Sequence, residues 1–144
     1  MILDKQNEFS TAQAVTTTAV STNVIDLGST GRTIGNIEYR ALVLSAVTAF
    51  EAAGAGTLTA QLVTSDNDDL SSPTVLSSTG PLSLDDLDGT ETAAIIDLPD
   101  TDYKRYLGLN YVVGTGPFTA GAITAGLVMD AGKYRSKARG YVIQ

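Results

Sequence analysis

The stretch Arg105–Gly114, RYLGLNYVVG, settles the fold class. Its odd positions, Leu107, Leu109, Tyr111 and Val113, form a continuous apolar row, and Tyr106, Gly108, Asn110 and Val112 alternate with them. A period of two puts the two sets on opposite faces of an extended chain, which makes the segment a β-strand with one face in a core. A second run, Ala122–Met129, has Ile123, Ala125, Leu127 and Met129 in one phase. Through the intervening GTGPFTAG the two runs are expected to pair as a hairpin. Tyr106–Met129 carries no charge over the length of a membrane helix, but Gly114, Gly116, Pro117 and Gly121 interrupt it and both halves keep the strand period. Two strands are expected there, and no membrane partner.

Working outward, strand candidates recur with turn signals between them, the rhythm of an all-β sandwich or barrel. Val24–Leu27 is short and runs into GSTGRTIGN. ALVLSAVTAF, Ala41–Phe50, is apolar on both faces, so it reads as a central strand or one that faces a partner. Leu58, Ala60 and Leu62 alternate with threonine and glutamine before SDNDDLSSP. Pro73 opens a weaker strand about Val75; Ala94, Ile96 and Leu98 share one face; Tyr141–Ile143 makes a last short strand. No window shows a capped helical period, and little helix is expected. Residues 1–20 read as an extended arm carrying Ile2, Leu3 and Phe9, in preference to a helical start, and residues 21–144 as one sandwich domain.

Composition argues against catalysis. The 144 residues include no His, Cys or Trp, so there is no disulfide framework, no thiolate metal site and no imidazole base. A net charge of −7 repels phosphate backbones and anionic lipid, and no nucleic-acid partner is expected. MILDKQNEF shows no secretion signal. The charge is unevenly spread: no Lys or Arg lies between Ala41 and Tyr103, while ten acidic residues lie from Asp66 to Asp102. The sign reverses in the segment 133–144, where Lys133, Arg135, Lys137 and Arg139 are spaced by two. In an extended segment they project from one side, either toward an anionic partner or as a solvated edge guarded against aggregation.

The acidic groups invite two chemical readings, and both are weak. Paired carboxylates hydrolyse glycosides in clefts with aromatic platforms, which a chain without Trp lacks. Asp66, Asn67, Asp68 and Asp69 suggest a calcium loop, but Leu70 and Ser71 stand where the third oxygen ligand and the glycine of an EF-hand belong. Solvated turn residues are the better account. Gly28, Gly31 and Gly35 fit neither phosphate-loop spacing and are turn glycines. No catalytic, metal or cofactor site is expected.

The opening MILDKQNEFSTAQAVTTTAVSTNVIDLG, the segment RYLGLNYVVGTGPFTAGAITAGLVMD and the spacing between them resemble the capsid cement, or decoration, proteins of short-tailed bacteriophages. The resemblance implies a jelly-roll-like β-sandwich on the outside of a virion. It would be made in the bacterial cytoplasm, assemble as homodimers, bridge major capsid protein subunits and stiffen the shell. Ile2, Leu3 and Phe9 of the arm and Lys133, Arg135, Lys137 and Arg139 of the basic segment are then the capsid-docking candidates. The both-faced apolar stretch Ala41–Phe50 suits a two-fold interface. The alternative is a polysaccharide- or receptor-binding β-sandwich module, which would bind through exposed aromatics, here Tyr39, Tyr103, Tyr106, Tyr111, Tyr134 and Tyr141.

Overall fold

The computed structural model describes residues 5–28, 41–90 and 92–129. A short 3-10 turn, Lys5–Asn7, leads into nine strands: β1 (Glu8–Ala14), β2 (Ala19–Val20), β3 (Ile25–Asp26), β4 (Ala41–Ala52), β5 (Thr57–Ser65), β6 (Thr74–Ser78), β7 (Thr92–Asp97), β8 (Tyr106–Gly114) and β9 (Phe118–Val128). They form two antiparallel sheets, one ordered β1-β9-β4-β7 and the other β2-β8-β5-β6, with β3 also on β8. This is an all-β sandwich, and among the described residues there is no α-helix.

The alternation in the sequence becomes the core. Leu107, Leu109 and Tyr111 of β8 and Leu58, Ala60 and Leu62 of β5 are fully buried against Leu42, Leu44 and Ala46 of β4 and Ile123, Ala125 and Leu127 of β9. Ala94, Ile96 and Leu98 join them from β7 and the residues after it. Each fully buried leucine contributes about 2 kcal/mol by removal of apolar surface from water.

The expected hairpin between the runs at 106–113 and 122–129 is not formed. β8 pairs with β5, β2 and β3, whereas β9 pairs with β1 and β4 in the other sheet. Their apolar faces therefore meet across the sandwich instead of lying side by side. Thr115–Pro117 carries the chain between sheets, and the start of β9 is held on the far side: the Phe118 amide donates to Thr16 O at 3.0 Å, and the Phe118 ring meets Phe50 edge-on at 4.9 Å.

The both-faced apolar stretch is accounted for within one copy. β4 is central, flanked by β9 and β7. Leu42, Leu44, Ala46 and Phe50 enter the main core, while Ala41 and Val43 on the opposite face are buried with Ile95 and Val128 in a second small cluster. Only Val47, at a register shift between Ala46 and Thr48, is left exposed as a large apolar group of this stretch. Its sequence thus reports a central strand and offers no large open patch for a second copy.

The expected arm 1–20 is also revised. Residues 8–14 are a strand of the sheet, paired to β9 from Glu8↔Gly126 to Ala14↔Ala122. A register shift between Glu8 and Ser10 lets two consecutive side chains, Phe9 and Ser10, turn inward, and both are completely buried. Phe9 belongs to the core and is not available for docking, because an apolar ring of that size gains more from the sandwich than from water.

Ser10 sits in a buried polar link. Its hydroxyl donates to Gln13 Oε1 at 2.7 Å and so accepts from the Tyr111 hydroxyl at 2.8 Å. Gln13 in turn donates from Nε2 to Val20 O and accepts from the Thr22 amide, tying β1 to the β2 side of the sandwich. Burial pushes the Tyr111 phenol well above its ordinary value, so it stays a neutral donor. Tyr111→Phe removes one buried hydrogen bond and keeps the ring, and is expected to lower stability by about 1 kcal/mol. A urea midpoint unchanged from the parent protein would show that this link contributes nothing.

Candidate interaction surface

The antiparallel registers sort the loops into two ends. Ala41 lies opposite both Val128 and Asp97, Tyr106 opposite Ser65 and Asp26, and Thr64 opposite Thr74. One end therefore gathers Lys5–Asn7, the chain at Asp26–Gly28, the 66–73 loop and the 98–105 loop. The other end gathers the 15–18, 53–56, 79–90 and 115–117 connections, since β4 passes to β5 and β8 to β9 there. The 53–56 and 115–117 connections, from β4 to β5 and from β8 to β9, are short links between the two sheets.

At the first end the charged groups organise the loops. Arg105 grips Asp26 with two bonds of 3.0 Å, from Nε and from an Nη, and its guanidinium lies 5.1 Å from the Tyr106 ring centre. Lys104 lies 3.8 Å from Asp66. Asp69 accepts from the Ser71 amide at 2.8 Å. Leu70 then folds back, 3% exposed, over β8, where its methyl groups occupy the space a Cβ on Gly108 would need. The run SDNDDL is thus a turn that delivers a leucine.

At the second end the loop LSLDDLDG does the same. The Asp86 carboxylate accepts from both the amide and the hydroxyl of Ser83, at 2.9 and 2.8 Å. Asp88 accepts from the Thr90 amide and hydroxyl at 2.9 and 2.7 Å. Leu87 between them is fully buried in the core, and its carbonyl accepts from the Phe50 amide. The only signal for this plug in the sequence was a leucine inside an acidic loop.

These bonds have an acid signature. The Arg105 side chain and then the Gly28 amide hold Asp26 below the usual carboxylate value; the Ser71 hydroxyl and amide do so for Asp69, the Ser83 amide and hydroxyl for Asp86, and the Thr90 amide and hydroxyl for Asp88. A carboxyl depressed in the folded state stabilises it above the unfolded value and loses that contribution as pH falls through the folded one. The melting temperature is therefore expected to hold from neutral pH down to about 5 and to fall below about 4. A melting temperature constant to pH 3 would contradict these assignments.

Among the described residues no group of three or more acidic side chains is placed to hold a metal ion, and no helix is long and apolar enough to cross a membrane. An open groove at the second end is lined by Thr17, Thr18, Val113, Thr115, Gly116 and Pro117 and presents no charged group. The sheet edges are short or irregular: β2 has 2 residues, and the pairings of β1, β6 and β7 each contain a register shift. Such edges resist strand addition. Of the docking candidates, Ile2, Leu3, Lys133, Arg135, Lys137 and Arg139 lie outside the described residues, as do the expected strand Tyr141–Ile143 and most of the GSTGRTIGN loop.

The described residues thus define a rigid β-sandwich whose acidic side chains fasten its own turns. The chain belongs to the Bbp16 family, a phage-associated family whose sequence model matches residues 9–127, from Phe9 in β1 to Leu127 in β9. No curated protein matches the chain.

Proposed function

We propose that this chain is a structural protein of a phage particle that binds the outside of the capsid, where it bridges and stabilises major capsid protein subunits. The observation that carries the reading is membership of a phage-associated family over residues 9–127, essentially the whole sandwich. The strand order supports the finer fold: β1-β9-β4-β7 against β2-β8-β5-β6 is the arrangement of two interlocked Greek keys, and we read it as a jelly roll. The chemistry fits a scaffold better than an enzyme. With no imidazole or thiol in the sequence, acid–base work falls to carboxylates, and Asp26, Asp69, Asp86 and Asp88 are engaged in fastening loops.

Of the six tyrosines that the sugar-binding alternative would use, Tyr39, Tyr134 and Tyr141 lie outside the described residues, and the other three are little available. Tyr103 and Tyr111 are completely buried, Tyr103 donating its hydroxyl to Pro99 O, and Tyr106 is half-covered beneath Arg105. Assembly as homodimers rests on the family resemblance, since β4 hides its own apolar faces; sedimentation as a dimer at micromolar concentration would support it.

Docking by the basic segment gives the test. Lys133, Arg135, Lys137 and Arg139 changed together to Glu are expected to abolish decoration of heads that lack the protein, and an unchanged melting temperature of the reversed protein separates lost docking from lost folding. Decoration by the parent protein should weaken as salt is raised. Full occupancy by the reversed protein in low salt would remove the basic segment from the docking account, and a parent protein that ignores heads but binds a glycan panel would favour the alternative.

A further inference from the structure

One patch of the sandwich is buried where a two-layer fold leaves its surface open. Ala41 and Val43 of β4, Val128 of β9 and Ile95 of β7 point away from the main core, because Leu42, Leu44, Leu127, Ala94 and Ile96 take the alternate positions. In an antiparallel sandwich that outer face ordinarily meets water. Yet Val43 is 0% exposed and Ala41 1%. Lateral neighbours do not account for this, since Val43 sits between Gly126, which has no side chain, and Ile95. Farther along β4 the shielding ends, with Ser45 half-buried and Val47 48% exposed. A cover therefore lies over this end of the sheet and stops within about 13 Å along the strand.

No described element supplies that cover. The second sheet lies on the core side, Leu87, Leu98 and Tyr103 of the loops pack in the core, and Leu70 packs on β8. The cover thus belongs to 1–4, 29–40 or 130–144, the segments outside the described residues. Residues 29–40 have to carry the chain from β3 in one sheet to β4 in the other, a course across the end of the sandwich. Residues 1–4 precede β1, an edge strand that lies three strands from Ile95, about 14 Å away. Residues 130–144 follow β9 directly beside the patch and join it to no other described strand. At that exit the core side is open, with Met129 exposed, and the outer side is the covered one.

We propose that the run Tyr141, Val142, Ile143 lies back across the outer face of β9, β4 and β7 and buries Ala41, Val43, Ile95 and Val128. It is the apolar run of the segment 130–144, and in an extended chain Tyr141 and Ile143 share one side. Residues 130–140 span up to about 35 Å when extended. That is ample to leave β9 and return over a patch about 10 Å wide, which three extended residues match in length. Lys133, Arg135, Lys137 and Arg139 are then carried on a loop fastened to the sandwich on both sides and not on a loose tail. The inference concerns the packing of the chain on itself and stands whether or not the chain binds a capsid.

The chain has no cysteine, so a single introduced thiol reports the cover. Val43→Cys places it under the patch, and Leu44→Cys places it on the core face of the same strand. Reaction with Ellman's reagent is timed in the full chain, in the chain shortened after Gly140, and in the full chain with Tyr141→Ser and Ile143→Ser. In the full chain both thiols should react slowly. Loss of 141–144 should speed the Val43→Cys thiol by about tenfold or more while the Leu44→Cys thiol stays protected, the mark of a local opening. If shortening frees the Leu44→Cys thiol as well, the sandwich itself has opened, and the double serine variant decides by the same criterion. Ile2→Ser with Leu3→Ser, and Ile34→Ser with Ile37→Ser, should leave the Val43→Cys thiol protected. A Val43→Cys thiol that reacts freely in the full chain, or that stays protected after both changes at 141–144, overturns the proposal.

Discussion

Phe9→Ala is expected to lower the unfolding free energy by about 3–5 kcal/mol, the range for truncating a buried phenylalanine. Phe9 is fully buried among the side chains of both sheets, and its carbonyl accepts from the Asn23 amide at 2.9 Å, so the void cannot be filled by a simple shift of a free arm. An ordinary domain has only about 5–15 kcal/mol in all, so this one substitution removes a large share of the stability. Urea denaturation reads the loss directly. The opposite pattern, normal stability with failed decoration of heads, would restore Phe9 to a docking arm and contradict the placement of β1.

Gly121→Ala is the second large effect. Gly121 has φ +147°, where side chains are rarely tolerated, and an added Cβ would lie 2.5 Å from Cγ and 2.7 Å from Cε1 of Phe50. The Phe50 ring is 4% exposed and stands at 77° to Phe118, with no open side to move toward. Strain of about 1–3 kcal/mol from the backbone and a similar cost for overpacking predict a loss of about 3 kcal/mol. Phe50→Leu, which clears the space, should recover part of it in the double variant. A Gly121→Ala protein as stable as the parent would mean that β9 does not pass this close to β4 at Phe50.

A period of two in the sequence conveys which residues share a face and omits which strands are neighbours. It marks Leu107, Leu109 and Tyr111 as one face and Ile123, Ala125 and Leu127 as another, and both faces enter the core. It carries no information on which strand lies beside which, and so proximity in the chain suggested a hairpin between β8 and β9 where the structure has a passage between sheets. Period also fails where register slips. In β1 the shifts at Ser10 and Gln13 break the alternation, so EFSTAQA resembles an arm although Phe9 and Ser10 are both interior. Leu70 and Leu87 were hidden for a related reason: each is a lone leucine among aspartates, and the turns that aim it inward are made by those aspartates. The candidate surface was legible as a charge pattern. Which of the loop aspartates fasten turns was not, because that depends on the amide each carboxylate reaches.

The most direct measurement of the account is cryo-electron microscopy of phage heads produced with and without this chain. Two-sheet density of the size of this chain is expected on the outer surface of the shell, spanning contacts between major capsid subunits and present only when the chain is supplied. Identical bare shells in both preparations, or the density found inside the head or in the tail, would contradict it.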